Sequence, residues 1–280
     1  MVRRPLGNHH DGPDTLLVTT ETTTQTEQVA SPSEYDETEA LRELITPVRV
    51  VLWDFDGPVC RLFAGHSAEG VADGLVEWLE GRGLHALLTE EERESLDPQV
   101  VLRAVGRRHP GSDLVTDLEE RLTQEELKAA SSAMPTAWAD PLIRTWAALG
   151  LRLAVTTNNS ARVVAKYLDG RGLLSCFAPH VYGRTDDLDL LKPDPHCLNQ
   201  ALLAMGSAPG TALMIGDTPS DYLAARDAGV PFLGYARTER KEKLLRGAGA
   251  TAVVASLETV LRAVRTAAHP LARPRPRPRA

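Results

Sequence analysis

The stretch RVVLWDFDGPVC, residues 49–60, decides the fold. An apolar run ends there in two aspartates one residue apart, and Gly57 and Pro58 follow directly. A short continuous apolar run is typical of a strand that is buried on both faces in a parallel sheet. Ligands bind outside the carboxyl ends of such strands, so Asp54 and Asp56 are predicted to face a crevice. Buried carboxylates without a partner are very unfavourable, and we therefore expect a cation beside them.

Apolar runs alternate with amphipathic segments along the rest of the chain, which is the pattern of strands joined by crossover helices. The predicted strands are residues 49–54, 151–156, 180–182, 212–215, 231–234 and 252–254. The predicted helices are residues 161–168, 195–205, 219–228, 239–246 and 257–267. This order predicts an α/β fold, a Rossmann-like parallel-sheet core with helices on both faces.

Residues 61–140 break the alternation, because they show helical spacing without a strand-like run. They are predicted to form an inserted all-helical cap between core segments 47–60 and 141–268. Residues 1–46 are rich in Thr, Glu and Ser, which predicts disorder with a short helix around residues 39–44. Residues 273–279 alternate Arg and Pro, and residues 269–280 are therefore predicted to form a disordered, extended tail without a role; an anionic or proline-binding partner is the other interpretation.

Composition narrows the class of protein. The chain has 280 residues and a formal net charge of -7, which argues against a nucleic-acid partner because phosphate-backbone affinity comes from clustered Lys and Arg. Cys60, Cys176 and Cys197 are far apart, so we expect neither disulfides nor zinc, but a reducing, cytoplasmic setting. No apolar run approaches the roughly 20 residues that cross a bilayer, so membrane insertion and export are not expected.

Three further segments carry groups suited to phosphate chemistry. The second predicted strand ends in VTTNNS, where Thr157 and Asn158 precede a helix N-terminus that favours an anion. If the end of this strand is shifted by one residue, Thr156 takes the role of Thr157. Lys192 precedes a proline in LLKPDPHCL, and LMIGDTPSDYL places Asp217 at a strand end with Asp221 four residues later.

Taken in order, the four segments resemble the motifs of the haloacid dehalogenase-like superfamily of phosphohydrolases, over about residues 48–254. VVLWDFDGPV is similar to the first motif, DxDx(T/V), although Pro58 stands where Thr or Val is usual. LAVTTN resembles the second and favours Thr157, because Asn158 then occupies the usual Asn position. Lys192 before proline and IGDTPSD resemble the third and fourth. The insertion resembles the subgroup with a helical cap after the first motif, that of phosphoglycolate phosphatase and β-phosphoglucomutase.

The resemblance implies Mg²⁺-dependent hydrolysis of a small phosphomonoester, such as a sugar phosphate, phosphoglycolate or a nucleotide. Asp54 would form an aspartyl-phosphate and Asp56 would act as general acid and base. The implied phosphate-binding and charge-stabilising groups are Thr157, Asn158 and Lys192. The implied Mg²⁺ ligands are Asp54, the Asp56 carbonyl and Asp217, with Asp221 as a further ligand or as a group that orients one.

Several alternatives stay open on the sequence. A phosphosugar mutase of the same fold keeps both aspartates, and a non-catalytic regulatory or binding protein could retain the fold. Phe63 and His66 follow the first motif at the entrance to the cap. They could contact the substrate, or Phe63 could be a packing residue and His66 a helix-start residue. The expected partner is a small phosphorylated metabolite, and the chain is expected to be a monomer or a homodimer.

Overall fold

The computed structural model describes residues 32–268, and it has the predicted α/β architecture. Its strands are β1 (Val50–Trp53), β2 (Cys60–Arg61), β3 (Met134–Pro135), β4 (Arg152–Thr156), β5 (Val181–Tyr182), β6 (Ala212–Gly216), β7 (Phe232–Tyr235) and β8 (Val253–Val254). Six of them form one parallel sheet in the order β5-β4-β1-β6-β7-β8. All six predicted strands are confirmed, with ends shifted by one residue at most.

The helices account for most of the remaining chain. They are α1 (Pro32–Ile45), α2 (Ala68–Glu80), α3 (Glu90–Arg93), α4 (Pro98–Arg108), α5 (Asp113–Ala130), α6 (Ala139–Ala148), α7 (Ala161–Gly170), α8 (Leu174–Phe177), α9 (His196–Ala204), α10 (Pro219–Asp227), α11 (Glu239–Ala248) and α12 (Leu257–Ala268). The five predicted helices correspond to α7 and α9–α12. Within residues 32–268, no helix combines the length and the apolar character that crossing a membrane requires.

Strand β1 lies in the middle of the sheet, and both of its faces are covered. Val51 and Trp53 pack with α1, α6, α7, α8 and α12 on one side. Val50 and Leu52 pack with α9, α10 and α11 on the other side. All four side chains are fully buried, which explains why the strand has an unbroken apolar sequence rather than an alternating one.

The connections between strands position the crevice that the sequence predicts. From β1 the chain runs to β4 and β5 on one side, and then crosses to β6, β7 and β8 on the other side. The strand order therefore reverses at β1. Ligands of open parallel sheets bind at the carboxyl end of such a reversal point, and Asp54 is the first residue after β1.

Helices α2, α4 and α5 form the inserted cap, which has a hydrophobic core of its own around Leu75, Leu102, Leu118 and Leu122. Where the chain enters and leaves the cap, β2 pairs antiparallel with β3. A strand pair of two residues each is too short to leave a periodic signal in the sequence. The boundaries at residues 61 and 140 stay a prediction.

The N-terminal segment departs from the prediction. Residues 32–45, expected to be disordered apart from residues 39–44, form the continuous helix α1. Leu41 and Ile45 are buried in the core layer that contains α12. A short helix of this kind is stabilised by tertiary packing, which composition does not reveal. Residues 1–31 and 269–280 lie outside the described residues, together with the predictions made for them.

Candidate active site

The carboxyl ends of β1, β4 and β6 and the loop before α9 bring the predicted residues to one crevice. A cavity of about 260 Å³ opens there. The predicted residues that line it are Asp54, Asp56, Phe63, Thr157, Asn158, Lys192 and Asp221. Asp217 does not line it, but one of its carboxylate oxygens lies within 4.8 Å of oxygens of Asp54 and Asp221. His66 lies outside the lining.

Lys192 is a buried cation that pairs with Asp54, the first of the two aspartates, and with Asp221. Its Nζ donates to Asp54 Oδ1 at 2.7 Å, to the Thr156 carbonyl at 2.9 Å and to Asp221 Oδ1 at 2.5 Å. An ammonium group has three donors, so all of them are used. Burial acts to lower the pKa of Lys192, but the Asp221 and Asp54 carboxylates outweigh it and raise that pKa above the usual lysine value.

Asp221 holds the end of β6 in place. Its Oδ2 accepts from the Asp217 main-chain N–H at 3.1 Å, and from the N–H and hydroxyl of Thr218 at 3.0 and 2.7 Å. Its Oδ1 accepts from Lys192. Thr218 is also the N-cap of α10, and it forms a capping box with Asp221. With both oxygens occupied, Asp221 is better suited to orienting the neighbouring groups than to binding a metal.

Asp217 is a buried carboxylate that has a protein partner on only one of its two oxygens. Its Oδ1 is buried without a hydrogen-bond partner in the described part of the chain, and its Oδ2 pairs with Lys241 of α11. Gly57, at φ +129°, has no side chain, and a Cβ there would overlap the Asp217 carboxylate. An unpartnered carboxylate oxygen close to Asp54 fits a hard cation such as Mg²⁺, which prefers oxygen ligands. The residues present therefore fit a divalent metal.

The aspartates of the site are shifted toward their protonated forms. Burial, together with the charge of Asp221, raises the pKa of Asp54 to about 6. Burial also raises the pKa of Asp56 to about 6 and that of Asp217 to about 8. Each shift reflects the free energy of keeping a carboxylate charged away from water, and a bound cation would offset it.

Two loops hold the groups that face these carboxylates. The Leu62 main-chain N–H donates to Asp56 Oδ1 at 2.8 Å and fixes that carboxylate. The Asn158 amide bridges the Lys192 backbone, accepting from its N–H at 2.8 Å and donating to its carbonyl at 3.0 Å. The Asn158 amide oxygen and one of the two amide N–H groups are thus already used. Thr157 lines the cavity, whereas the Thr156 hydroxyl is fully buried and points to Met214 Sδ.

The two cap-entrance residues have different surroundings. Phe63 lines the cavity and also packs against the hydrophobic cores of the cap and the sheet. His66 Nε2 lies 2.9 Å from Glu125 Oε2. Of the pair, Phe63 alone lies where a substrate could touch it in this structure.

A buried charge network that the sequence did not reveal joins the cap to the core. Arg184 follows β5, and its side chain is fully buried. It donates to Glu126 of α5 at 3.0 Å and to the Asn158 carbonyl at 3.1 Å. Glu126 also accepts from the Asn159 amide at 3.0 Å and from the Ser160 N–H at 3.1 Å, just before α7. Helix α5 of the cap is thereby attached to residues 157–160, the loop between β4 and α7, which we call the Thr157 loop. Helical spacing makes Glu126 resemble an ordinary exposed acid, so no sequence signal marks it.

Comparisons with known proteins agree with this geometry. A family model described as haloacid dehalogenase-like hydrolase matches residues 48–229. The chain is 31% identical over 217 residues to a phosphoglycolate phosphatase of Rhodospirillum rubrum, covering 68% of this chain and 81% of that one.

Solved structures share the fold at low identity. A predicted phosphatase from Clostridium acetobutylicum has a TM-score of 0.60 and 19% identity, over 78% of this chain and 98% of that one. A predicted phosphoglycolate phosphatase from Haemophilus somnus has a TM-score of 0.58 and 16% identity, with the same coverage of both chains.

Proposed function

The chain belongs to the haloacid dehalogenase-like hydrolases and is a phosphatase, and we propose that it hydrolyses a small phosphomonoester through an aspartyl-phosphate on Asp54. The observation that carries this proposal is the placement of Asp54. Its carboxylate lines a small cavity at the reversal point of the sheet, beside Asp56, and is held by the buried Lys192. A nucleophile, an acid and a positive charge are thus available within one crevice.

In the first step, Asp54 attacks phosphorus and the bond from phosphorus to the ester oxygen breaks. Asp56 gives its proton to the departing alkoxide, so the leaving group exits as an alcohol. In the second step, Asp56 takes a proton from water, which attacks phosphorus and releases inorganic phosphate and free Asp54. A pKa of Asp56 raised by burial to about 6 suits a group that must both give and accept a proton near neutral pH.

The remaining groups bind and compensate charge. Lys192 offsets the negative charge of Asp54 as the phosphate approaches, and Thr157 with the main chain at Asn158 binds the oxygens that do not react. The residues that would hold Mg²⁺ are Asp54, the main-chain carbonyl of Asp56 and Asp217. When bound, Mg²⁺ supplies the charge that lets a phosphate approach these carboxylates.

The test is phosphate release from a panel of phosphorylated metabolites, with Mg²⁺, with chelator, and with the Asp54→Asn variant. We expect release that requires both Mg²⁺ and Asp54, in protein whose circular dichroism matches that of the parent. Phosphate transfer to the bound sugar instead of water would overturn hydrolysis in favour of a phosphosugar mutase. Folded protein without turnover on any ester would instead favour a regulatory or binding protein.

The wider setting follows from the same proposal. The substrate is a small phosphorylated metabolite, and a cytoplasmic location fits three cysteines that are all free in the structure. The curated relative acts on phosphoglycolate by its name. Phosphoglycolate therefore enters the panel beside sugar phosphates and nucleotides.

A further inference from the structure

The cavity has two unlike parts. The first part comes from the core and consists of Asp54, Thr157, Lys192 and Asp221. We call these residues, together with the adjacent Asp217, the catalytic floor. We call Ala68 and residues 96–99 the cap wall, which comes from the inserted helices and faces the same space. In a phosphomonoesterase the phosphoryl group must lie on the floor, so the leaving group must lie toward the wall.

The floor offers no free positive charge to a second anionic group. Lys192 is the one cation among the residues that line the cavity, and Asp54, Asp221 and the Thr156 carbonyl already occupy its three donors. Three cations contact residues of the site without lining the cavity themselves. Arg184 donates to Glu126 and to the Asn158 carbonyl, and is therefore already paired. Arg103 donates to the Lys192 carbonyl at 3.1 Å, and Lys241 pairs with Asp217.

The wall is acidic and otherwise uncharged. It carries the carboxylate of Asp97, with Leu96, Pro98 and the amide of Gln99 around it. Asp97 is fixed in place, because its Oδ1 accepts from the Gln99 main-chain N–H at 2.9 Å as the N-cap of α4. A carboxylate on the leaving group would lie close to this like charge, and the juxtaposition of like charges at a binding site is unfavourable. A hydroxyl could donate to Asp97 and bond to Gln99.

We propose that the leaving group is an uncharged, hydroxylated fragment, a polyol or a sugar, and that Asp97 selects against esters that carry a carboxylate. This inference rests on the proposed function, and it separates this chain from what the name of its phosphoglycolate-cleaving relative suggests. A cavity of about 260 Å³ suits a leaving group of a few carbon atoms.

The experiment uses two substrate pairs that differ only in a carboxylate replaced by a hydroxymethyl group. These are 2-phosphoglycolate against 2-hydroxyethyl phosphate, and 3-phosphoglycerate against glycerol 3-phosphate. We expect kcat/KM to favour the alcohol of each pair by at least about tenfold, a typical cost of placing like charges together. Equal values, or a preference for the acids, would overturn the inference while leaving the phosphatase proposal intact.

A matched pair of variants assigns the preference to Asp97. Asp97→Asn keeps a good N-cap residue for α4 and removes the charge, so the preference for the alcohol should fall by about fivefold. Asp117→Asn removes an exposed acid of the cap that does not line the cavity, and should leave the preference unchanged. An unchanged preference in Asp97→Asn would reject its role. Silence of the parent protein on every ester would reject the proposed function itself.

Discussion

The catalytic floor and the cap wall enclose the same cavity, but they are built in different ways. On the floor, Lys192 and Asp221 are almost fully buried, and all their donors and acceptors have protein partners. On the wall, Leu96 is 64% exposed and lies in the loop between α3 and α4. A buried, paired charge tolerates little change, whereas an exposed apolar side chain can be exchanged at small cost. Stability and chemistry therefore depend on the floor, whereas residues of the wall can vary and set the selectivity for the substrate.

The largest effect is expected at the centre of the floor. Lys192→Met would leave Asp54 and Asp221 buried without their cation, and we expect a loss of about 3–5 kcal/mol in the free energy of unfolding. Turnover should fall by about 100-fold or more, because the charge at the nucleophile is no longer offset. Urea denaturation and steady-state kinetics measure the two losses.

Lys243→Met is the matched control, because Lys243 is an exposed lysine of α11 that pairs with Glu239. It should behave as the parent protein does. If Lys192→Met unfolds at the same urea concentration as the parent, the charge of Lys192 does not stabilise the floor. The proposed difference in stability between floor and wall would then be wrong.

The second-largest effect is expected at the junction, the buried Arg184–Glu126 charge network that joins the cap to the core. Arg184→Met removes the buried guanidinium that joins Glu126 to the Thr157 loop, and we expect a loss of about 3–5 kcal/mol. Combining it with Glu126→Gln should cost less than the sum of the two single changes, because Arg184→Met alone leaves the buried Glu126 carboxylate without its cation. A double-mutant cycle in urea measures this coupling.

The chain offers a control with the same connectivity. Arg162 of α7 pairs with Glu120 of α5 at 2.7 Å, so this pair also joins core to cap, but both side chains are exposed. Arg162→Met should cause no measurable loss of stability, because exposed pairs are screened by water. Similar losses in both arginine variants would show that burial is not what distinguishes the junction.

A smaller effect is expected where the floor meets solvent. Lys241 is 43% exposed and pairs with Asp217, so it competes with any cation that this carboxylate binds. Lys241→Met should therefore tighten Mg²⁺ binding by about fivefold, about 1 kcal/mol for a partly exposed pair. It should also lower the Tm measured with chelator.

Calorimetric titration with Mg²⁺ in the absence of substrate provides the readout, again with Lys243→Met for comparison. An Mg²⁺ affinity that stays the same or weakens would mean that Lys241 does not compete for Asp217. The result is independent of turnover, so it tests the charge balance of the floor alone.

The smallest effect on stability is expected in the wall. Leu96→Ala should change the free energy of unfolding by no more than about 0.5 kcal/mol, as is usual for an exposed position. KM for the preferred ester should change by a few-fold at most, with kcat nearly constant, because the wall does not touch the reacting atoms. Leu203→Ala, an exposed leucine of α9 outside the cavity, is the control. A loss of stability as large as that of the floor variants would remove the distinction between floor and wall.

Much of the floor could be predicted from the sequence, because its residues are marked by local signals. Three of them follow apolar strands, Lys192 precedes a proline and Asp221 comes four residues after Asp217. The ends of parallel strands meet at one edge of a sheet. The sequence left Thr156 and Thr157 open until a resemblance favoured Thr157. In the structure the Thr156 side chain packs inside the sheet and Thr157 lines the cavity. The phosphate-binding role of Thr157 stays a prediction.

The junction and the wall could not be predicted in this way. Arg184 and Glu126 are 58 residues apart, and each is an ordinary charged residue in its own segment. Lys241 and Asp217 are 24 residues apart and lie on different elements. Helix α1 has few apolar residues, and the burial of Leu41 and Ile45 becomes apparent only when α12 is in place.

The sequence alone predicted where the six strands of the sheet lie along the chain, the helical insertion and the polar groups at the strand ends, because periodicity and turn residues act over a few positions. The tertiary structure decided which charges are buried together, which part of the cap faces Asp54 and how the N-terminal helix is held. These depend on packing between elements that are distant in sequence, and no local pattern encodes the distances between them. The sequence shows which side chains are ionisable, but their burial, which shifts their pKa values, depends on the fold.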